Sequence, residues 1–461
     1  MSTSKSWSVL CKTDRAKAYL HFDHRCSLNN NLRLCAMVCD PKEVQQHGFF
    51  PFVHFSMPKK RIKLGDDGKV EAIEPKIREI SYCSHVDRCI YKRYAFLLNK
   101  KYNQYSKIHG LDEVAVAYRN NLHLSNIDIA KEVFDFVNKQ ECCLIVVSDF
   151  SKFFDNIEHK CLKRNIIKIL ETEDKGLPPD FYNVYKNIVR YSYVDRKELE
   201  DYLEITKKNR REYSSYLDKN KFDEIKHLVK INKGVGIPQG SPISAVLSNI
   251  YMIEIDEQVK DFVRSYAGVY KRYCDDIVIV LPISKQNLRN FIEIAEKVIN
   301  IFSDSGRISV NDEKTVFLYK EDDRLINVKT SVEDRLDYLG FNYDGKNITL
   351  RQRSLGKYFY RLRRKAQSAG YQKINKQIFP WNLYDKYSTC KKKRRYVYRR
   401  KELESEIIKT KRTQKNFIAY LNRVLSSGIL IGDSASIKCK KYNKNYVSKY
   451  IKQGQRKASN I

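Results

Sequence analysis

No stretch of this chain is apolar over the roughly 18 residues that a bilayer helix needs, and Met1 to Leu10 lacks the charged-then-apolar order of a signal peptide. A cytoplasmic protein with no membrane partner is the expectation. Paired C-x-x-C spacing is missing too: the 12 cysteines are scattered, and Cys142, Cys143 and Cys161 sit inside apolar stretches, so they read as reduced core residues. His21, His24, Cys26, Cys35 and Cys39 match no common structural-zinc spacing, which argues against a zinc cluster. There is no internal repeat and no Gly/Ser-rich linker, so boundaries must come from charge and periodicity. Acidic residues are scarce as well, 55 against 87 Lys and Arg, leaving a net charge of +32. That excess goes beyond what solubility requires and points to a polyanionic partner. Nucleic acid fits better than a membrane surface, because the basic residues are interleaved with Tyr and no lipid-facing apolar helix accompanies them.

With 461 residues and 42% hydrophobic content the chain can bury a large core in two or three packed units. Asp87 to Tyr105 places Ile90, Tyr94, Leu97 and Leu98 on one helical face. Cys142 to Ser148 is a compact run with β-branched Ile145, Val146 and Val147, the composition of a buried strand, and it ends on Asp149. The charged stretch between Asp195 and Lys233 reads as a solvated helical excursion or hairpin. Ser241-Pro242 suits an N-cap and first helical position, followed by the stripe Ile243, Val246, Leu247, Ile250 and Ile253. Val269 to Leu281 is a run of β-formers interrupted by Cys274-Asp275-Asp276, which predicts a hairpin with acidic residues at its turn. An amphipathic helix over Ser284 to Phe302 and strands over Ile308 to Val310, Val316 to Tyr319 and Leu336 to Tyr343 follow. From Leu350 the pattern is helical and basic, with Arg361, Arg363, Arg364 and the run Lys391, Lys392, Lys393, Arg394 and Arg395 among tyrosines, a segment suited to nucleic-acid phosphates and sugars.

Asp149, Asp275 and Asp276 lie among strand-like apolar residues, and a carboxylate near a core is costly unless a cation answers it. A small sheet with helices on one face brings the strand end beside the hairpin turn. Two divalent ions about 3.5–4 Å apart would there serve an in-line phosphoryl transfer. Mg²⁺ suits the all-oxygen donor set, with Mn²⁺ as the substitute ion.

Ser148-Asp149-Phe150-Ser151-Lys152-Phe153-Phe154-Asp155, Gly236-Ile237-Pro238-Gln239-Gly240-Ser241-Pro242 and Tyr273-Cys274-Asp275-Asp276 resemble, in that order, motifs A, B and C of reverse transcriptases. The resemblance covers about Lys76 to Tyr343. It implies an α+β right-hand polymerase with an RRM-like palm sheet: an N-terminal extension over 1–75, fingers over 76–140, a palm over 141–345 with a fingers insertion at about 160–235, and a helical, basic thumb region over 346–461. It also implies that Asp149 and Asp275 are the principal metal ligands with Asp276 beside them, that the Phe150 carbonyl joins one coordination shell, and that Phe154 is the steric gate against a 2′-hydroxyl. Gln239 and Gly240 would touch the incoming nucleotide and template, Lys314 would be the general acid of motif D, and Leu339, Gly340 and Phe341 would form the primer grip. Arg78 and Arg119 fall where the fingers hold the triphosphate of a dNTP. Cys274 stands where Ala or Met is commoner.

No RNase H domain, maturase segment or Cys-rich endonuclease is apparent, and the wording Phe-Phe-Asp-Asn-Ile and Gly-Ile-Pro-Gln-Gly-Ser-Pro-Ile-Ser resembles bacterial, defence-associated reverse transcriptases. That resemblance implies a structured noncoding RNA as template or scaffold, a cDNA product and an antiphage role. A retron-type enzyme making branched RNA–DNA, a template-independent or protein-primed polymerase, and a non-catalytic RNA scaffold are the alternatives. Intact Asp149, Asp275 and Asp276 argue against the last.

Overall fold

Where β-branched and aromatic residues cluster, the chain pairs into strands. The computed structural model describes residues 6–64, 70–206, 208–217, 219–283, 290–304, 308–376, 381–388, 394–398, 407–411 and 416–459. Strands in the first part are β1 (Phe52–Leu64), β2 (Val70–Tyr82), β3 (Cys142–Asp149), β4 (Ser192–Asp195), β5 (Lys230–Ile231), β6 (Val269–Tyr273) and β7 (Asp276–Pro282). Further along are β8 (Val316–Glu321), β9 (Arg324–Asn327), β10 (Leu336–Tyr338), β11 (Phe341–Tyr343), β12 (Ile348–Leu350), β13 (Arg394–Tyr398) and β14 (Ile407–Lys411). Two compact units result: Met1–His123, Val146–Leu281 and Arg289–Val316 form one, and Leu124–Ile145, Pro282–Leu288 and Phe317–Ile461 the other. The fold is mixed α/β, as the residue pattern predicts.

In the first unit, β1 and β2 form a long antiparallel ribbon, with Val53 opposite Tyr82 and Leu64 opposite Val70, broken by one register shift at Lys59/Arg61. β4 adds to β1 in parallel and β5 to β4 antiparallel, giving the order β2-β1-β4-β5. The stretch from Asp195 to Lys233 is packed rather than solvated, contrary to expectation. Asp195 caps a helix over Arg196–Tyr202 by accepting from the Lys197 and Glu198 amides, and Leu199, Ile205, Tyr216 and Ile225 join Leu20, Phe22, Val53 and Val194 in one buried cluster. Burial of such side chains outweighs the surrounding charges, which remain on the outside.

A second sheet runs β6-β7-β3-β8-β9. Its β6–β7 hairpin is tight: Tyr273 pairs with Asp276 and Val269 with Val280, and Cys274 takes a left-handed φ of 63° in the two-residue turn. The helix after the second motif starts later than expected. Residues 241–243 form a turn, Ser244 opens the helix Ser244–Tyr251, and a break at Met252 leads into Ile253–Arg264. The predicted N-cap at Ser241 therefore does not form; the Ser244 hydroxyl instead donates to the Pro238 carbonyl at 2.7 Å. The predicted apolar stripe is buried throughout.

Beneath the hairpin lies a fully buried ion pair, with Arg272 and Asp256 side chains both 0% exposed. Arg272 donates from Nε to Asp256 Oδ1 at 2.8 Å and from Nη2 to Oδ2 at 2.6 Å. Its Nη1 reaches Asn249 Oδ1 and the Cys274 carbonyl, both at 3.2 Å. The Tyr270 hydroxyl donates to the same carboxylate at 2.9 Å. Every charge in this cluster has a partner, which is the condition under which a buried pair persists. Asp256→Ala leaves the guanidinium buried without its counter-charge and is expected to lower unfolding stability by about 3–5 kcal/mol. Urea denaturation measures this, and a change below about 1 kcal/mol would show that the pair does not anchor the core.

Candidate active site

The end of strand β3 and the turn of the β6–β7 hairpin are joined directly. The Phe150 amide donates to the Asp275 carbonyl at 3.2 Å, which sets Asp149 beside Asp275 and Asp276. On its other side the strand end is held by the segment before β8: Asn311 N donates to Asp149 O, and Ser151 N to Ser309 O, both at 2.9 Å. The Lys314 ammonium, presented by a short turn at Asp312–Lys314, is ion-paired with Asp149 Oδ2. Four of the residues assigned to chemistry, Asp149, Asp275, Asp276 and Lys314, thus meet through backbone and side-chain contacts within one unit. Phe150, Phe153 and Phe302 form an aromatic floor, with ring centroids 5.3 and 5.4 Å from that of Phe150.

Phe154 is half-buried, on the turn Phe153–Asn156. Its carbonyl accepts from the Ile237 amide at 2.9 Å, so the gate candidate and the Gln239–Gly240 loop lie side by side. That loop also rests on β2, where the Ser81 amide donates to the Gln239 carbonyl at 2.9 Å. At Gly240, φ is 132° and a Cβ would stand 2.7 Å from the Ser81 carbonyl, so only glycine permits the approach. Arg78, three residues back along β2, is exposed. Arg119 is not available to a triphosphate. It is 3% exposed, and its guanidinium donates to Asn103, Asp112 and the Leu111 and Ala115 carbonyls, over the Tyr102 ring.

In the second unit, Leu339 and Gly340 form the two-residue turn of the β10–β11 hairpin, while Phe341 is buried against Phe134 in the core and cannot face a primer. Arg361, Arg363 and Arg364 are exposed on the helix Gln352–Lys376. Lys391, Lys392 and Lys393 lie outside the described residues, and of Arg394 and Arg395 only the backbone of β13 is described.

Two contributors escape a motif-based reading. Arg272, a charged residue in a run of β-formers three positions before Asp275, ties the acidic turn to the core. Tyr118, at a left-handed φ of 61°, lies beside Cys274, and burial there together with the Cys274 charge pushes its hydroxyl up; nothing in its sequence context signals this.

A carboxylate-ended strand against an acidic hairpin, on a sheet backed by helices, is the palm of a nucleic-acid polymerase. The family described as "Reverse transcriptase (RNA-dependent DNA polymerase)" matches residues 58–343, more than half of the chain, and the chain belongs to it. Among solved structures it is similar to apo telomerase from Candida tropicalis truncated from its C-terminal domain, at TM-score 0.38 and 11% identity over 62% of this chain and 53% of that one. It is also similar to telomerase from Candida albicans in complex with a TWJ fragment of telomeric RNA, at TM-score 0.37 and 12% identity over 71% and 52%. The chain spans about half the length of these telomerase chains.

Reverse transcriptase domains generally use divalent metal ions, and the donors present fit such a cation. Asp149 Oδ1 is buried without a hydrogen-bond partner, and Oδ2 already draws the Lys314 ammonium, so this carboxylate sits where positive charge is needed. Among the described residues no three His, Cys, Asp or Glu side chains converge into a ready-made cluster, and Asp149 is turned onto Lys314.

Burial and the neighbouring Asp275 charge push the Cys274 thiol up to about 11, so it stays protonated at neutral pH. Iodoacetamide at pH 7.5 is expected to label the exposed Cys39 and leave the buried Cys274 unmodified in the native protein. Peptide mass spectrometry reads the order, and labelling of Cys274 ahead of Cys39 would contradict the assignment.

Proposed function

We propose that the protein is an RNA-directed DNA polymerase that copies a structured noncoding RNA into cDNA by two-metal nucleotidyl transfer, in defence against phage. The observation that carries the polymerase reading is the 3.2 Å bond from Phe150 N to Asp275 O, which gathers three acidic residues from distant segments at one strand end. Support for the RNA partner comes from the net charge of +32 and from the acid-free helix Gln352–Lys376. Support for the defence role is the wording of the sequence motifs alone.

In this mechanism Asp149, Asp275 and Asp276, with the Phe150 carbonyl, would hold magnesium. When bound, such ions would supply activation of the primer 3′-hydroxyl and charge stabilisation of the departing pyrophosphate. Lys314 lies one ion pair from Asp149, so release from that carboxylate frees its ammonium to protonate the leaving group. Gln239 and Gly240, fixed against Ser81, form the wall on which the incoming base and template rest. Arg78 on the neighbouring strand supplies positive charge to the triphosphate. Phe154, held by Ile237, blocks the space a 2′-hydroxyl would need and so selects deoxynucleotides.

Replacing both Asp275 and Asp276 by Ala is expected to lower primer extension on an RNA template by about 10³-fold or more, while RNA affinity, set by basic residues elsewhere, stays within a factor of about three. Extension assays with parallel binding measurements decide, and a fully active double variant would remove the mechanism. Separately, Phe154→Ala is expected to raise the ratio of ribonucleotide to deoxynucleotide incorporation by about tenfold or more. Unchanged sugar selectivity in single-nucleotide kinetics would take the gate role away from Phe154.

A further inference from the structure

The β10–β11 turn uses a residue poorly suited to it. Leu339 has φ 45° and Gly340 φ 100°, both left-handed, the pattern of a two-residue hairpin turn whose first position favours Asn, Asp or Gly. Leucine in that conformation is strained and has no polar side chain to compensate locally. Something outside the turn must hold it. The Leu339 carbonyl accepts a hydrogen bond from Asn126 Nδ2 at 3.1 Å. The same amide nitrogen donates to the Tyr420 hydroxyl at 3.2 Å, on the helix Phe417–Ser426.

Asn126 is well placed for this work. It is the first residue of the helix Asn126–Asn138, whose start is fixed by a capping box between Ser125 and Asp128. The strands of the hairpin are fixed independently, by Phe341 next to the turn and Tyr343 at the base, both against Phe134. At the tip, the Gly340 carbonyl accepts from the Arg351 amide at 2.9 Å, and the Leu339 carbonyl is left to Asn126. Its two N–H groups are divided between the turn and the Phe417–Ser426 helix, so one amide links the two elements.

We propose that Asn126 is a positioning residue that locks the Leu339–Gly340 turn to the Phe417–Ser426 helix and thereby sets how tightly the turn holds a primer. The inference rests on the polymerase reading, in which that turn supports the primer.

The test uses the full chain with a DNA primer annealed to an RNA template. Dissociation is followed by fluorescence anisotropy without nucleotide, and single-nucleotide addition is measured alongside. Asn126→Ala is expected to speed dissociation by about 5–10-fold, the loss of a hydrogen-bonded link, and to raise KM for primer–template more than it lowers kcat. Tyr420→Phe removes one of the two bonds and is expected to give a smaller change in the same direction. Combining them is expected to be no worse than Asn126→Ala alone, because both act through one link. Additive effects, or wild-type dissociation in both single variants, would overturn the proposal, as would a fall in melting temperature with dissociation unchanged. If Asn126→Ala does not fold, Tyr420→Phe alone decides. A wild-type chain that neither binds nor extends the primer–template sinks the polymerase reading and this inference with it, whereas normal wild-type extension with unaltered variants sinks this inference only.

Discussion

A guanidinium buried out of reach of water must satisfy its donors within the protein, and Arg272 does so by gripping everything around the acidic turn. Asp256 neutralises it, Asn249 takes one further bond, and the Cys274 carbonyl takes another. Its backbone is equally engaged: Arg272 N donates to the Val114 carbonyl at 2.8 Å, and Val116 N donates to the Arg272 carbonyl at 3.1 Å. Asn249 in turn donates to the Ala117 carbonyl at 3.0 Å. One residue, through side chain and backbone together, thus binds the hairpin that carries Asp275 to the helix after the Gln239–Gly240 loop and to the segment leading to Tyr118. Breaking any one of these contacts leaves buried polar groups unpaired, so the cluster holds as a whole or fails as a whole.

From that anchor the rest of the site follows by close backbone contact. The hairpin turn accepts from Phe150, the loop residues Gly236 and Ile237 donate to Ile157 and Phe154, and Gln239 accepts from Ser81. Three motifs far apart in sequence are fastened to one another chiefly through main-chain bonds, which leaves their side chains for chemistry. That Asp149 ends beside the Asp275 turn is then a product of sheet order, with β3 next to β7. Lys314 enters from the segment before β8 and answers the charge of Asp149.

Much of this was legible in the residues. The β-branched run before Asp149 and the apolar runs flanking Cys274-Asp275-Asp276 predict the strand and the hairpin, because a buried strand leaves a period-two or continuous apolar signal. Other features left no such trace. Leu199, Ile205, Tyr216 and Ile225 are too unevenly spaced to reveal that their charged segment packs on Phe22 and Val53. Arg119 carries the composition of a phosphate ligand, yet its role is set by Asn103, Asp112 and two carbonyls that only the fold brings to it. Ser241 looks like an N-cap, but its neighbours form a turn and the helix starts at Ser244. Asn126 and Arg272 act through contacts between segments distant in sequence, where a single sequence holds no periodic signal.

The central claim is that Asp149 and the Asp275–Asp276 turn form one cation-binding centre. Anomalous scattering from crystals grown with manganese, primer–template and a deoxynucleotide measures this most directly. The account predicts manganese peaks bounded by the Asp149 and Asp275 carboxylates, with Lys314 released from Asp149. Ordered substrates with manganese bound elsewhere, and Asp149 still paired to Lys314, would contradict it.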